Sequence, residues 1–458
     1  MEPIGGGLRS LRVSPLALIA CAAALAAGWL LDDLVLRPPF PVTYQGIAPL
    51  APLYAFPIPV LRAQAAIFLV LAAMLAGAAG TLADPARVPR RTFGVVVGAA
   101  AFLLPLALFL VRQDLPRLGS QFEIYRADEF LDDARRIDSV GGFLAHYVER
   151  MPSLSLHGSH FPPGHALFLY AVGKTFGFGT FPAGIAVLAC FAVGVVVCWL
   201  AIDERFPGIP SRQAVLLLLA CPSLLDFACT SMDAVFFLFA ALALRAGFRA
   251  LAPEGSPLQA VGAGILLLVA TFFSFSALPV GLVLLVHAVF SAARRPLSAF
   301  VRLLWIAAAY AAAAVALSGA TGFAIWKCVL AAREHGLELM THAVGAEPRT
   351  IAPQFWYGNA VAFAIGGGVA LVAALVARLR ARPLSAEAWT PAVLVALAAM
   401  TLGGIYFMET ERVWIFALPW VAAAAVSTGG FEPATLRLLV VVGAVQALAM
   451  EIVLFTLW

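Results

Sequence analysis

Apolar runs recur along the whole chain, broken by short clusters of Arg, Pro, Gly and acidic residues. Their length matches the roughly 17–25 residues that an α-helix needs to cross a bilayer. The pattern predicts spans near 14–33, 64–83, 93–111, 181–202, 213–229, 232–250, 258–273, 276–292, 299–322, 357–378, 389–407, 412–428 and 435–457. The first run could serve as a signal peptide, but the many spans behind it predict a retained helix. Residues 163–176 (PGHALFLYAVGKTF) are too short and interrupted to span. They are expected to lie at the interface, apolar face down and Lys174 up.

The charge pattern fixes the expected sidedness. With Arg9 and Arg12 cytoplasmic, the loops on the same side are 87–91, 203–212, 245–257, 293–296 with Arg302, 378–382 and 431–437, and every one carries Arg. Counting 163–176 as a span would put most of these arginines outside, so about thirteen spans are expected. The opposite, outer side then holds a long loop at 112–180, the corner at Asp233, the Ser-Phe-Ser break at 274–276, a second loop at 323–356 with His335, His342 and Arg349, and the corner 408–412. The expectation is an all-α polytopic membrane protein forming one integral-membrane domain over 1–458.

Composition adds exclusions. At 62% hydrophobic and 12% charged residues, with a mean hydropathy of +0.96, the chain cannot fold as a soluble domain. A net charge of +4 is too small to imply nucleic-acid binding. The six cysteines form no CxxC pair, and Cys21, Cys190, Cys198, Cys221 and Cys229 sit in apolar runs where a thiol behaves as a small hydrophobe. No GxGxxG, no phosphate-binding loop and no inverted repeat of the transporter kind is present.

Candidate chemistry collects on the outer side. The long loop carries Glu123, Asp128, Glu129, Asp132, Asp133, Asp138 and Glu149, with His146, His157, His160 and His165. A partly buried carboxylate at Asp128 or Glu129 could deprotonate an acceptor hydroxyl. The bland alternative is a solvated acidic face paired with Arg126, Arg135 and Arg136. In His160-Phe-Pro-Pro-Gly164, the prolines fix an extended approach and the glycine lets the next helix begin close to another backbone. His160 could contact a phosphate or sugar hydroxyl, or be structural; His157, His160 and His165 lack a known zinc spacing, so no metal ligand is assigned. Asp233 opens an apolar helix, where capping competes with function. Asp226 sits inside an apolar run, which is harder to explain blandly. In Glu409-Thr-Glu411-Arg412, the arginine offers a planar donor fork for phosphate, against the alternative of an ion pair tying two helices. Arg349 and Lys174 are further phosphate candidates, and His287 reads as a core histidine.

The order of these motifs resembles the GT-C superfamily of integral-membrane glycosyltransferases, notably the protein mannosyltransferase and aminoarabinose transferase branch. The residues that carry it are Tyr125-Arg-Ala-Asp-Glu-Phe-Leu-Asp-Asp-Ala134, His160-x-Pro-Pro-Gly164, and Pro222 with Ser231-Met-Asp-Ala234; Trp356-Tyr-Gly-Asn359 and the corner 409–414 also fit bacterial members. The resemblance covers about residues 90–290. It implies a polyprenyl-phosphate-linked sugar as donor, inverting transfer on the non-cytoplasmic face, and a lipid, glycan or protein acceptor. By position Asp128 matches the catalytic acid and Glu129 its neighbour. His160 and Lys174 would border the donor, Arg412 or Arg349 would hold the lipid phosphate, and Tyr125, Asp133, Asp233, Glu409 and Glu411 would support them. No cofactor is required, with a divalent metal the one addition left open. The expected location is the bacterial inner membrane. Two spans precede the long-loop hairpin where many members have one, and no large C-terminal soluble domain follows. The rival readings are a transporter or flippase of lipid-linked saccharides, which needs charges at both ends of a path, and a non-enzymatic assembly subunit.

Overall fold

The computed structural model describes residues 10–36, 47–123, 129–292, 296–344, 348–382, 389–403 and 409–455. Within them the chain is helical, and no β-strand is formed beyond isolated bridges. The helices are α1 (Pro15–Leu31), α2 (Ala65–Leu82), α3 (Arg90–Phe109), α4 (Phe130–Arg135), α5 (Val140–Ala145), α6 (Tyr147–Arg150), α7 (Gly164–Phe176), α8 (Thr180–Arg205), α9 (Ile209–Leu218) and α10 (Pro222–Phe227). They continue as α11 (Asp233–Leu251), α12 (Pro257–Phe273), α13 (Ala277–Ala292), α14 (Pro296–Thr321), α15 (Ile325–Val344), α16 (Pro348–Ala381), α17 (Trp389–Leu402), α18 (Thr410–Val413), α19 (Leu418–Val426) and α20 (Pro433–Val453).

Among the described residues eight helices are long and apolar enough to cross a membrane, and four shorter apolar helices accompany them. This is an integral membrane protein. The predicted span 213–229 is two short helices: Pro222 has no N–H to donate and starts a new one, so α9 ends before it. The expected outer loop 323–356 is also different. Most of it is helix, because α15 lays Ile325, Cys328 and Ala332 against Tyr147 and Met151 while Arg333 and Glu334 stay exposed. The polar residues along 323–356 hid a helical period.

Contacts sort the helix termini into two ends. At the polar end, a Cβ on Gly119 would collide with the Thr180 carbonyl, so the approach to α4 sits on the start of α8. Likewise a Cβ on Gly164 would strike the Phe272 carbonyl, so α7 begins directly on the end of α12. The glycine after the double proline thus does what its position predicted. At the opposite, basic end, arginines close short loops. Arg212 donates to the Val88 carbonyl at 2.7 Å and its guanidinium lies 4.7 Å from the Phe93 ring centroid. Arg90 pairs with Asp203 at 3.0 Å, and Arg245 and Arg249 both hold Glu204 at 2.6 and 2.9 Å. Carbonyls left over at helix ends are satisfied this way without extra chain.

One break shapes the interior. Gly368 adopts φ +89°, ψ 155° within α16, which splits that helix. The hydrogen bond that would join Val369 N–H to the Ile365 carbonyl is replaced by Gln446 of α20. Its Oε1 accepts from Val369 N at 2.7 Å and its Nε2 donates to Ile365 O at 2.9 Å. A side-chain amide inserted into the ladder is a recognised cause of a sharp kink. A Cβ at Gly368 would lie 2.8 Å from Pro222 Cδ. Gly368→Ala is therefore expected to lose roughly 2–4 kcal/mol from backbone strain and crowding. Gly262→Ala, where nothing lies within 4 Å, should be neutral or slightly stabilising. Thermal melts in detergent check the pair; equal melting temperatures for both variants would refute this account of the kink.

Candidate functional site

Four segments that are far apart in sequence meet at the polar end. The centre is Arg412, 3% exposed, whose Nη2 donates to Glu409 Oε2 at 2.7 Å and whose Nη1 lies 3.4 Å from Asp233 Oδ2. Ser231 links them: it accepts from Arg412 Nη1 at 3.3 Å and donates to Asp233 Oδ2 at 2.9 Å. Asp233 is the first residue of α11, where the helix dipole also favours its charge. Its side chain makes no capping hydrogen bond, so the ion pair and the Ser231 bond account for it. Thr410 donates to the Asn359 carbonyl at 2.7 Å, fixing the corner to α16.

Glu411 is different. It is 3% exposed and neither carboxyl oxygen has a hydrogen-bond partner among the described residues. Burial chiefly, then the neighbouring Glu409, pushes its pKa up to about 8. Burial thus favours the protonated form of Glu411. Ser223 beside it also has a hydroxyl without a hydrogen-bond partner among the described residues.

The acidic motif supplies the second wall. Phe130 on α4 packs 5.0 Å from the His165 ring and 6.1 Å from His157. Asp133, 1% exposed, accepts from Ser155 Oγ at 2.6 Å and from Ser155 N at 3.0 Å, and Glu129 accepts from Leu156 N at 3.0 Å. Both carboxylates clamp the 155–158 turn onto α4. Burial nonetheless raises the Asp133 pKa, outweighing its Ser155 bonds. Tyr147 donates to the Gly158 and Phe161 carbonyls at 3.1 and 2.9 Å, locking the same turn from below. His157 and His160 lie 5.6 Å apart, ring to ring. His157 and His165, which are buried, and half-buried His160 all feel Arg412. Burial first, and then that guanidinium, lowers His160 to about 4 and His165 to about 3. Among the described residues no three His, Cys, Asp or Glu side chains converge as a metal site.

The structure thus brings together Glu129, Asp133, His160, Asp233, Glu409, Glu411 and Arg412. Asp128 and Tyr125 lie outside the described residues, immediately before Glu129. The Arg349 side chain lies outside them too, although its backbone starts α16. Lys174 is not brought in: it is exposed on α7, 5.3 Å over the Tyr170 ring. Sequence reasoning missed Ser231 as the bridge, and it placed His335 on the outer side without foreseeing that its Nδ1 would lie 3.0 Å from the Ser159 carbonyl. The signal for Ser231 was its place two residues before Asp233. Two of the three described non-glycine residues with positive φ, Glu129 at 48° and Glu409 at 62°, open short helices at this site. Such strain is over-represented where geometry serves function.

No family model matches the chain, and no curated protein is matched. Two solved structures are similar, both of ArnT from Cupriavidus metallidurans. The apo form is 18% identical over 68% of this chain and 72% of that chain, with a TM-score of 0.30. The form bound to undecaprenyl phosphate is 17% identical over 78% and 77%, with a TM-score of 0.31. Likenesses this distant assign no activity here.

The histidines make the site acid-sensitive. His165 binds its proton at about 6.5 when unfolded and about 3 when folded, so the unfolded chain holds more protons between those values. Its contribution is complete above pH 6.5 and is lost as pH falls towards 3, by about 1.4 kcal/mol per pH unit. Glu411, with its pKa raised to about 8, works in the opposite direction, so the test is a difference: in detergent melts from pH 7.5 to 5 the wild type should lose stability relative to His165→Gln. A wild-type-minus-variant difference that does not change with pH would contradict a buried neutral His165.

Proposed function

We propose that the chain is an inverting GT-C-type glycosyltransferase that moves a sugar from a polyprenyl phosphate to an acceptor hydroxyl at the polar end. The observation that carries the proposal is the buried Arg412 fork, held by Asp233 and Glu409 beside the acidic motif and its histidines. A phosphate leaving group needs a cation aimed at its developing charge, and an acceptor hydroxyl needs a nearby carboxylate. Both groups belong to one end of the bundle in this reading.

Arg412 serves the lipid phosphate. Glu409 holds the Nη2 that the phosphate would use, so donor binding exchanges one anion for another on the same guanidinium. His160 and His165, kept neutral, border the sugar without adding positive charge. Asp128 or Glu129 takes the acceptor proton, with Glu129 presented by the strained start of α4. Asp133 positions that segment through Ser155. Arg349 and Lys174 act at most at the edges of the donor site. The reading needs no cofactor, places the polar end outside the bacterial inner membrane, and leaves the acceptor a lipid, glycan or protein. A flippase would need charge lining a path between both ends, whereas the buried cluster of Arg412, Asp233 and Glu409 belongs to the polar end alone.

The test is sugar transfer by the purified protein in lipid, supplied with a panel of polyprenyl-phosphate sugars and scored by release of the lipid phosphate. Arg412→Lys keeps the charge that Asp233 and Glu409 require but loses the planar fork. Turnover should drop about 10²–10³-fold. Asp128→Asn or Glu129→Gln should cost about 10²–10⁴-fold, depending on which is the base. Wild-type turnover in both folded carboxylate variants would sink the proposal.

A further inference from the structure

The basic end holds a feature that glycosyl transfer does not use. Helices α1 and α16 touch closely towards the polar end, where the Tyr357 hydroxyl donates to the Gly28 carbonyl at 3.3 Å and a Cβ on Gly28 would lie 3.4 Å from Val361. Beyond the Gly368 kink the second half of α16 and the start of α1 enclose a groove of about 1140 Å³. That volume is at the upper end of ordinary ligand sites. Small side chains on both helices, Ala17, Cys21 and Ala24 facing Ala373 and Ala377, leave the space between them.

Its chemistry changes along its length. The mouth carries Arg12, Arg380 and Arg382, with the hydroxyls of Ser14, Thr428 and Thr435; the depth is apolar, reaching Leu25 and Val372. Arg12 is paired with Glu432 at 2.7 Å. Arg380 and Arg382 make no ion pair among the described residues, and Arg380 is exposed. Thr428 is only 9% exposed, yet its hydroxyl has no hydrogen-bond partner among the described residues. From Ser14 to Leu25, α1 rises roughly 16 Å at 1.5 Å per residue, close to the roughly 15 Å half-thickness of a bilayer core. A cationic, hydroxyl-bearing mouth over an apolar cleft one leaflet deep matches one class of molecule.

We propose that this groove binds an anionic phospholipid, its phosphate at Arg380 and Arg382 and one acyl chain between α1 and α16. Two arginines at a membrane surface favour an anionic headgroup, and the guanidinium fork suits phosphate oxygens. The cleft walls supply contact for the chain irrespective of headgroup.

The test is native mass spectrometry of the full-length protein in detergent, titrated with dioleoyl phosphatidylglycerol or dioleoyl phosphatidylcholine. The wild type should retain one phosphatidylglycerol in preference to phosphatidylcholine. Arg380→Gln with Arg382→Gln should lower that preference by at least about tenfold while leaving phosphatidylcholine retention unchanged. Ala377→Phe, which fills the cleft and leaves the arginines in place, should reduce retention of both lipids. A preference that survives the double substitution overturns the proposal, as does full competition by millimolar inorganic phosphate, which would mark a headgroup site without a lipid chain. A dimer peak that lipid does not disperse overturns it as well, because a second copy would then fill the groove.

Discussion

A guanidinium with 3% of its surface exposed cannot be left alone in a low-dielectric interior, and Arg412 sets the terms for everything around it. Its charge is balanced by Asp233 and Glu409. Ser231, 181 residues earlier in the chain, supplies the bridging hydroxyl. Meeting that requirement fastens the start of α11 to the corner ahead of α19. It also brings a positive charge up to three histidines, which burial already keeps neutral. Removing both acids would leave the arginine uncompensated, so electrostatics and fold are inseparable at this point.

The two ends of the bundle solve the same problem differently. At the basic end, arginines satisfy carbonyls and acids over short loops, which keeps charge near water and uses little chain. The polar end spends long segments to bury its charges: Asp133 on Ser155, Arg412 on two carboxylates, with half-buried Glu129 on Leu156 beside them. Burying polar groups is costly unless each is paired, and Glu411 and Ser223 are left without partners among the described residues. A ligand that brings its own hydrogen-bonding groups would relieve that cost.

Much of this was legible in the sequence, because a bilayer imposes a length and a polarity on every crossing. The spans, the arginine-bearing loops and the role of Gly164 follow from local pattern. Legibility fails where partners are distant. Nothing local links Asp233 to Arg412, although each was singled out. Nothing local marks Gln446 as the group that mends α16 at Gly368, since an isolated glutamine in an apolar run has many readings. The segment 323–356 looked like a loop because its polar residues obscured a helical period. The span 213–229 looked continuous because hydropathy ignores the missing N–H of Pro222. Asp226, flagged as out of place, proves to face Arg112, Gln121 and Glu451 around a small polar cavity, again assembled from separate helices.

The most direct measurement is photo-crosslinking with a polyprenyl phosphate that carries a diazirine beside the phosphate, followed by peptide mapping of the adduct. Labelling within 155–165 or 409–413, reduced by unlabelled polyprenyl phosphate, is the expected result and would put the donor on Arg412. Labelling confined to the groove between α1 and α16, or no displaceable labelling at all, would contradict a donor site at the polar end.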